Sequence, residues 1–275
     1  MAYAGFRARS GDYGVIPGAA RLTLPPGLDP TGLEWVHFMT HGVEKALRNW
    51  APGKPDATLT GTPIELDGCI QFRSGSAYMT THLTDSGQTI SHAIGGRDIG
   101  GQADNADRFF WGGSGFAGPP TIQGANLYTS EANKLQFATH YNNGEAPIIR
   151  NVVLDVPGGP DAPMRLALAS AAATGATGTS DDATLDEFIA GVSGANAVAA
   201  GYNRNATGAK FMIGHGASVT LTGSGQVWCS IGFSRLLTTN EKLILKNWLI
   251  NTGRAHGHYA PADTIYDGGD AFTEV

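Results

Sequence analysis

The stretch QVWCSIGFSRLLTTNEKLILKNWL, residues 226–249, decides how the rest of the chain is read. Its opening, 226–233, combines Val227, Trp228, Ile231 and Phe233 with small residues, the composition of a buried strand. Alternation sets Val227, Cys229 and Ile231 against Trp228, Ser230 and Gly232 and leaves the face of Trp228 undecided, yet both Trp228 and Phe233 are expected to be mostly buried. Then the period changes. Thr238-Thr239-Asn240-Glu241 fits a capping box, in which the threonine hydroxyl accepts from the backbone three residues on and the glutamate reaches back. Leu243, Ile244, Leu245, Trp248, Leu249 and Ile250 follow as an apolar side, and Gly253 suits the position past a helix stop. A core strand therefore hands over to one capped helix at about 239–251, with Glu241 as a cap rather than a catalyst. The helix is expected to pack Leu243, Leu245 or Trp248 on the rim of whatever precedes it.

What precedes it is a series of short strands. Residues 58–66, 69–72, 78–81, 89–94, 108–111, 121–128, 134–141, 148–156, 164–171, 210–213 and 218–221 read as strands. Turn signals between them include Gly95-Gly96, Gly100-Gly101, Asn143-Gly144 and Pro157-Gly158-Gly159. The composition agrees: 39 glycines, 14 prolines and only 15% charged residues suit many short strands joined by tight turns. The fold class is all-β, an antiparallel sandwich over about 55–237. Two stretches depart from it. Residues 184–189 could form a strand, or 183–190 a short helix begun by Asp181 or Asp182. Residues 31–50 read as a short helical lead-in, with Val43, Ala46 and Leu47 on one side and Thr40 or His41 near its start. The domain is placed at 31–252, with an arm at 1–30 and a tail at 253–275. The arm holds apolar residues without regular pattern, so a partner surface would have to supply the burial that orders it.

A net charge of −6 disfavours nucleic-acid binding. No apolar run approaches the roughly 18 residues of a membrane span, and the amino terminus lacks the apolar segment of a secretory signal. Cys69 and Cys229 lie in apolar stretches and read as buried thiols, a bridge between them being the lesser alternative. Neither the cysteines nor the eight histidines show zinc-ligand spacing.

The order of features resembles laminin-G-like, concanavalin A-like jelly-roll domains. Asn49-Trp50-Ala51-Pro52-Gly53, Gly61-Thr62-Pro63 and GCIQFRSGSAYMTT (68–81) resemble the opening loop, turn and strand of that family. MIGHG (212–216) and the 226–249 stretch resemble its closing strands and helix, with Phe233, Arg235, Leu237, Thr238 and Glu241 in the family's places. The resemblance covers about residues 49–252. It implies a concanavalin A-like jelly roll with a short carboxyl-terminal helix and extended terminal arms. Versions that have an arm and no signal peptide look like bacteriophage virion proteins. By that likeness the chain is expected to be a non-enzymatic virion protein, assembled in the host cytoplasm. It would carry a lectin-like module for a host glycan or receptor and contact other virion subunits through its arms, as a homo-oligomer, in the first instance a trimer. The alternatives are a docking or decoration subunit without ligand and, as a lesser one, a polysaccharide-cleaving enzyme.

Candidate sites follow from side-chain chemistry. Sugars stack on aromatic faces and hydrogen-bond amides and charged groups, which singles out Trp111, Tyr128, Tyr141, Asn143, Tyr202 and Arg204, with Asn142, Asn203 and Asn205 beside them. No cofactor is expected other than Ca2+, for which Asp98, Asp104 and Asp107 lie in the most oxygen-rich loop. Glycosidases need two facing carboxylates. Glu65 and Asp67 have the spacing but sit at a turn, and the adjacent Asp186 and Glu187 would point to opposite faces of a strand. Asp85-Ser86-Gly87-Gln88-Thr89 partly matches the Asp-box of sialidases, lacks its leading serine and closing aromatic, and reads as a turn.

Overall fold

A computed structural model of the chain describes residues 24–100, 104, 107–117, 122–131, 133–145, 147–156, 161–176, 182–216 and 221–259. The strands are β1 (Leu33–Phe38), β2 (Thr58–Thr60), β3 (Ile64–Leu66), β4 (Cys69–Arg73), β5 (Tyr78–Thr84), β6 (Ile90–Asp98), β7 (Phe110–Gly113), β8 (Phe116–Ala117), β9 (Ile122–Gln123), β10 (Asn126–Glu131), β11 (Lys134–Asn142), β12 (Ile148–Asp155), β13 (Arg165–Ala171), β14 (Ala183–Glu187), β15 (Val192–Asn196), β16 (Asn203–Arg204), β17 (Lys210–Ile213) and β18 (Ser224–Phe233). The helices are α1 (Val43–Leu47) and α2 (Thr239–Ala255). A first sheet runs β15-β14-β13-β6-β18-β4-β3, with β1 also on β18; a second runs β12-β11-β10-β7-β17-β5-β2, with β16 on β11. A β8–β9 ribbon stands apart, and the strand pairings are antiparallel.

Trp35, Phe72, Ile94, Phe109, Trp111, Phe137, Phe211 and Val227 belong to one core cluster, fed by both sheets. A second cluster joins Leu33, Val36, Leu166, Leu168, Trp228, Cys229, Ile231 and Phe233 of the first sheet to Leu245, Leu249 and Ile250 of α2. The helix thus lies across the outer face of the first sheet, not on the sandwich rim. Leu245 and Leu249, one turn apart, meet the sheet, whereas Leu243 is 43% exposed and Trp248 half-buried. Trp50 is likewise half-buried.

This second layer explains several departures from the sequence pattern. β1 was expected to be part of a helical lead-in; only α1 is helical there. With α2 on one side and the second sheet on the other, Leu33, Trp35 and Val36 are all buried, so β1 shows no period of two. The β18–β6 register shifts between Val227 and Cys229. Trp228 is the extra residue of that bulge, so it and Cys229 both reach the helix-side core. Gly95 and Gly96 are mid-strand rather than a turn. A Cβ on Gly95 would stand 2.2 Å from the Trp228 indole nitrogen, so glycine makes room for the ring. Gly253 lies inside α2, not past its end, and glycine is needed there because a Cβ would meet Tyr259 at 2.4 Å. Residues 183–187 are strand, β15 follows unforeseen, and Leu221 is outside any strand, with 217–220 outside the described residues. Both cysteines are free and buried.

Residues on both sides of 31–252 pack against it. Leu28 is buried, Asp29 N–H donates to Glu241 at 3.2 Å, and Arg235 donates to Asp29 and Thr31 carbonyls at 2.7 Å each. Tyr259 is buried against Trp228, and its hydroxyl donates to the Arg165 carbonyl at 3.2 Å. The remainder of the expected arm, 1–23, and of the tail, 260–275, lies outside the described residues.

A candidate recognition rim

At one end of the second sheet, β16 pairs with the end of β11, Tyr141 opposite Arg204 and Asn142 opposite Asn203. The pairing joins two segments that the sequence places far apart. Asn142 and Asn143 begin the β11–β12 turn; their side-chain oxygens accept from Gly144 N–H at 2.6 Å and Glu145 N–H at 3.1 Å. Neither amide NH2 group donates to another group among the described residues. Asn143 and Asn203 are exposed, and Asn142 and Tyr202 half-buried. Tyr202 is held through its backbone, donating to Ala199 at 3.3 Å and accepting from Gly175 at 2.8 Å.

Beneath the rim is an ion pair that the sequence did not reveal. The side chains of Arg204 and Asp85 are both fully buried. Arg204 meets both oxygens of Asp85, at 3.2 Å through Nη1 and more closely through Nη2, and its Nε donates to the Gln88 carbonyl at 2.8 Å. Asp85 also accepts from Gly87 N–H at 3.0 Å, closing the turn read as an incomplete Asp-box, and from the Thr207 hydroxyl at 3.4 Å. A two-point guanidinium–carboxylate pair with its remaining sites filled is the arrangement that compensates burial of charge. It locks the 85–88 turn to β16.

The proposed sugar contacts therefore separate. Asn143 and Tyr202 stand on the rim. Arg204 is buried and spent on Asp85. Tyr141 is fully buried; its hydroxyl reaches the Ala172 and Asp182 carbonyls at 3.1 and 3.2 Å, and burial pushes its pKa up. Trp111 is 3% exposed, within the inter-sheet core, its indole N–H donating to Thr129 at 3.3 Å. These three side chains serve the core, so none of them offers a sugar an open face. Tyr128 is half-buried against Phe110, opposite Gln136 and away from the rim. Its aromatic neighbours, and not a turn, explain its place.

The loop expected to hold Ca2+ is described only in part. Asp98 is 3% exposed and accepts from Gly100 N–H at 2.7 Å and Phe109 N–H at 3.4 Å; Asp104 accepts from Asp107 N–H at 3.3 Å. Among the described residues no three His, Cys, Asp or Glu side chains converge as a metal site.

The architecture has counterparts among solved structures. The binding domain of botulinum neurotoxin DC in complex with SialylT superposes with a TM-score of 0.55 at 9% identity, over 79% of this chain and 51% of that one. The fold is an antiparallel jelly-roll sandwich. The botulinum neurotoxin serotype C1 binding domain gives 0.53 at 11% identity, over 79% and 52%. Trypanosoma rangeli sialidase in complex with sialic acid gives 0.55 at 12% identity, over 86% of this chain and 36% of that one. The chain spans about half the length of the toxin domains it matches. At these identities the likeness is one of fold. No family model and no curated protein matches the sequence.

Proposed function

We propose that this jelly roll is a non-enzymatic, lectin-like module that binds a neutral portion of a surface glycan through Asn142, Asn143, Tyr202 and Asn203. The observation that carries the reading is the β11–β16 pairing, which presents three amides and a tyrosine together on a rim anchored by the buried Asp85–Arg204 pair. Amides supply the mixed donors and acceptors that hydroxyls need, and a half-buried tyrosine supplies a face for the ring. Solved neighbours described as binding domains, one in complex with SialylT, and a sialidase with sialic acid lend the reading support. A glycan array with the full chain should return positive glycans. For those, Tyr202→Ala and Asn143→Ala should each weaken binding at least tenfold while leaving Tm within a few degrees. An array without positives, or variants that bind like the parent, would end the proposal.

The finer assignment is a virion protein, assembled in the host cytoplasm and attached to other subunits by its terminal segments. It is supported by the sequence resemblance, and a homotrimer is the oligomer it suggests. Because residues 24–30 pack into the domain, the deletion that tests attachment is 1–23. The truncated chain should fold and fail to enter its assembly, and sedimentation of the full chain should give three times the monomer mass. Normal incorporation, or a monomer, would overturn this part.

A further inference from the structure

Helix α2 covers only part of the first sheet's outer face. Under the helix that face is apolar, with Leu166, Leu168, Ile231 and Phe233. Past the helix end it turns polar. Arg97 on β6 and Gln226 on β18 are register partners there. A cavity of about 380 Å³ opens beside them, and Asp67, Cys69, Met164 and His258 are among its other walls. That volume falls within the roughly 300–1,000 Å³ of small-molecule sites.

The polar groups are held and partly unspent. Arg97 Nε donates to Gln226 Oε1 at 2.8 Å and Nη1 to the Ala162 carbonyl at 3.3 Å. Its Nη2 has no hydrogen-bond partner among the described residues, and no carboxylate there lies within ion-pair distance of it. Asp67, exposed on another wall, is likewise without an ion-pair partner among them. His258 is stacked on Trp228 at 5.2 Å and bonds the Gly68 carbonyl through Nε2 at 2.8 Å, which leaves Nδ1 of the neutral ring as an acceptor. The Arg97 charge is felt inside the cavity: it favours the thiolate of Cys69 and the neutral form of His258, in the first case against the larger effect of burial.

We propose that this cavity is a second recognition site, for a carboxylate-bearing sugar. The inference rests on the lectin-like reading above and adds a ligand class to it. The ligand carboxylate would take the open edge of the Arg97 guanidinium, hydroxyls would donate to Asp67 and His258 Nδ1, and the carbon face would lie on Met164 and Leu66. Guanidinium suits this role because Gln226 and the Ala162 carbonyl fix its plane through Nε and Nη1 and leave Nη2 with two N–H donors for a carboxylate oxygen. The chain's net charge of −6 gives an anion no general attraction, so recognition has to come from this local group.

The test is a calorimetric titration of the full chain with glucuronic acid, N-acetylneuraminic acid and, as the neutral control, glucose. At least one acid should bind through Arg97, and any glucose bound should be indifferent to Arg97→Ala. Arg97→Ala should weaken the acid at least tenfold. Arg97→Lys, which keeps the charge and loses the fork, should also weaken it severalfold, with thermal melts showing both variants folded. Asn143→Ala should leave acid binding unchanged. Arg97 variants that bind the acids like the parent, glucose binding that falls in Arg97→Ala as acid binding does, or acid binding lost in Asn143→Ala would each overturn the proposal. Array-positive glycans that depend on Tyr202, with neither acid bound, would sink this cavity and spare the rim. Acid binding that depends on Arg97, with array-positive glycans indifferent to Tyr202→Ala and Asn143→Ala, would do the reverse.

Discussion

Arg204 and Arg235 each grip a carboxylate, and the two pairs differ in almost every other respect. Arg204 and Asp85 are 119 positions apart, fully buried, and join a turn to a short strand. Arg235 and Glu241 are 6 apart, with Nη2 to Oε1 at 2.5 Å and side chains 22% and 8% exposed. Glu241 is also the capping-box glutamate: it accepts from Thr238 N–H at 2.9 Å, and Thr238 Oγ1 accepts from Glu241 N–H at 3.3 Å. The Arg235 guanidinium, with help from these bonds and against burial, holds the Glu241 carboxyl down to about 2. One pair is a tertiary clamp, fully buried, in which each charge has the other as its counter-charge. The other is local, with water and backbone groups at hand if a member is lost.

The sharpest way to break the comparison is to remove one member of the buried pair. Asp85→Ala leaves a buried guanidinium without its counter-charge and should cost about 3–5 kcal/mol, read as a fall in the urea midpoint. The double variant Asp85→Ala/Arg204→Met should be less damaged than Asp85→Ala alone. A double variant that is worse would mean the pair is needed for more than charge compensation. On the local side, Glu241→Ala removes the reciprocal cap and the contact to Arg235 together and should cost about 1–2 kcal/mol by the usual size of capping and charge-assisted bonds. A loss as large as that of Asp85→Ala would erase the distinction. Thr238→Ala, which removes one capping acceptor, should cost about 1 kcal/mol, visible as a small Tm shift.

A further effect is one of pH. A carboxyl whose folded value is depressed adds stability above its unfolded value and loses it as pH falls through the folded one. Glu241 has an ordinary value of 4.5 and a folded value of about 2. The stability gap between the parent and Glu241→Gln should therefore be constant above pH 5, narrow below 4.5, and close toward pH 2. Chemical denaturation at pH 7 and pH 3.5 checks it, and a gap that widens on acidification would refute the assignment.

The pairs also mark how far the chain can be read without its fold. Thr238 and Glu241 are recognisable because a cap is a contact across one helical turn. The Asn143-Gly144 turn and β12 after it are recognisable because a turn and the period-two burial of Val152 and Leu154 are local as well. Arg204 and Tyr141 looked like surface groups near turns, and both are buried, because β16 comes to lie on β11 only in the folded chain. β1 was missed for a related reason: burial on both faces removes the alternation by which a strand is recognised. Asp85 reads from the sequence as a turn residue. It is one, closing on Gly87, but its guanidinium partner lies beyond the reach of any spacing argument.

The residues alone determined the all-β class, most of the strand positions, the capped helix and the burial of Trp228, since each follows from propensity, period and neighbours within a few positions. Only the tertiary structure decided that α2 covers a sheet face rather than a rim and that Trp228 sits in a bulge over Gly95. It alone decided that Asn142 and Asn203 share a rim and that Arg97 faces a cavity. Those outcomes depend on which distant surfaces meet, and the free energy that selects them comes from area buried between elements, which no local stretch encodes.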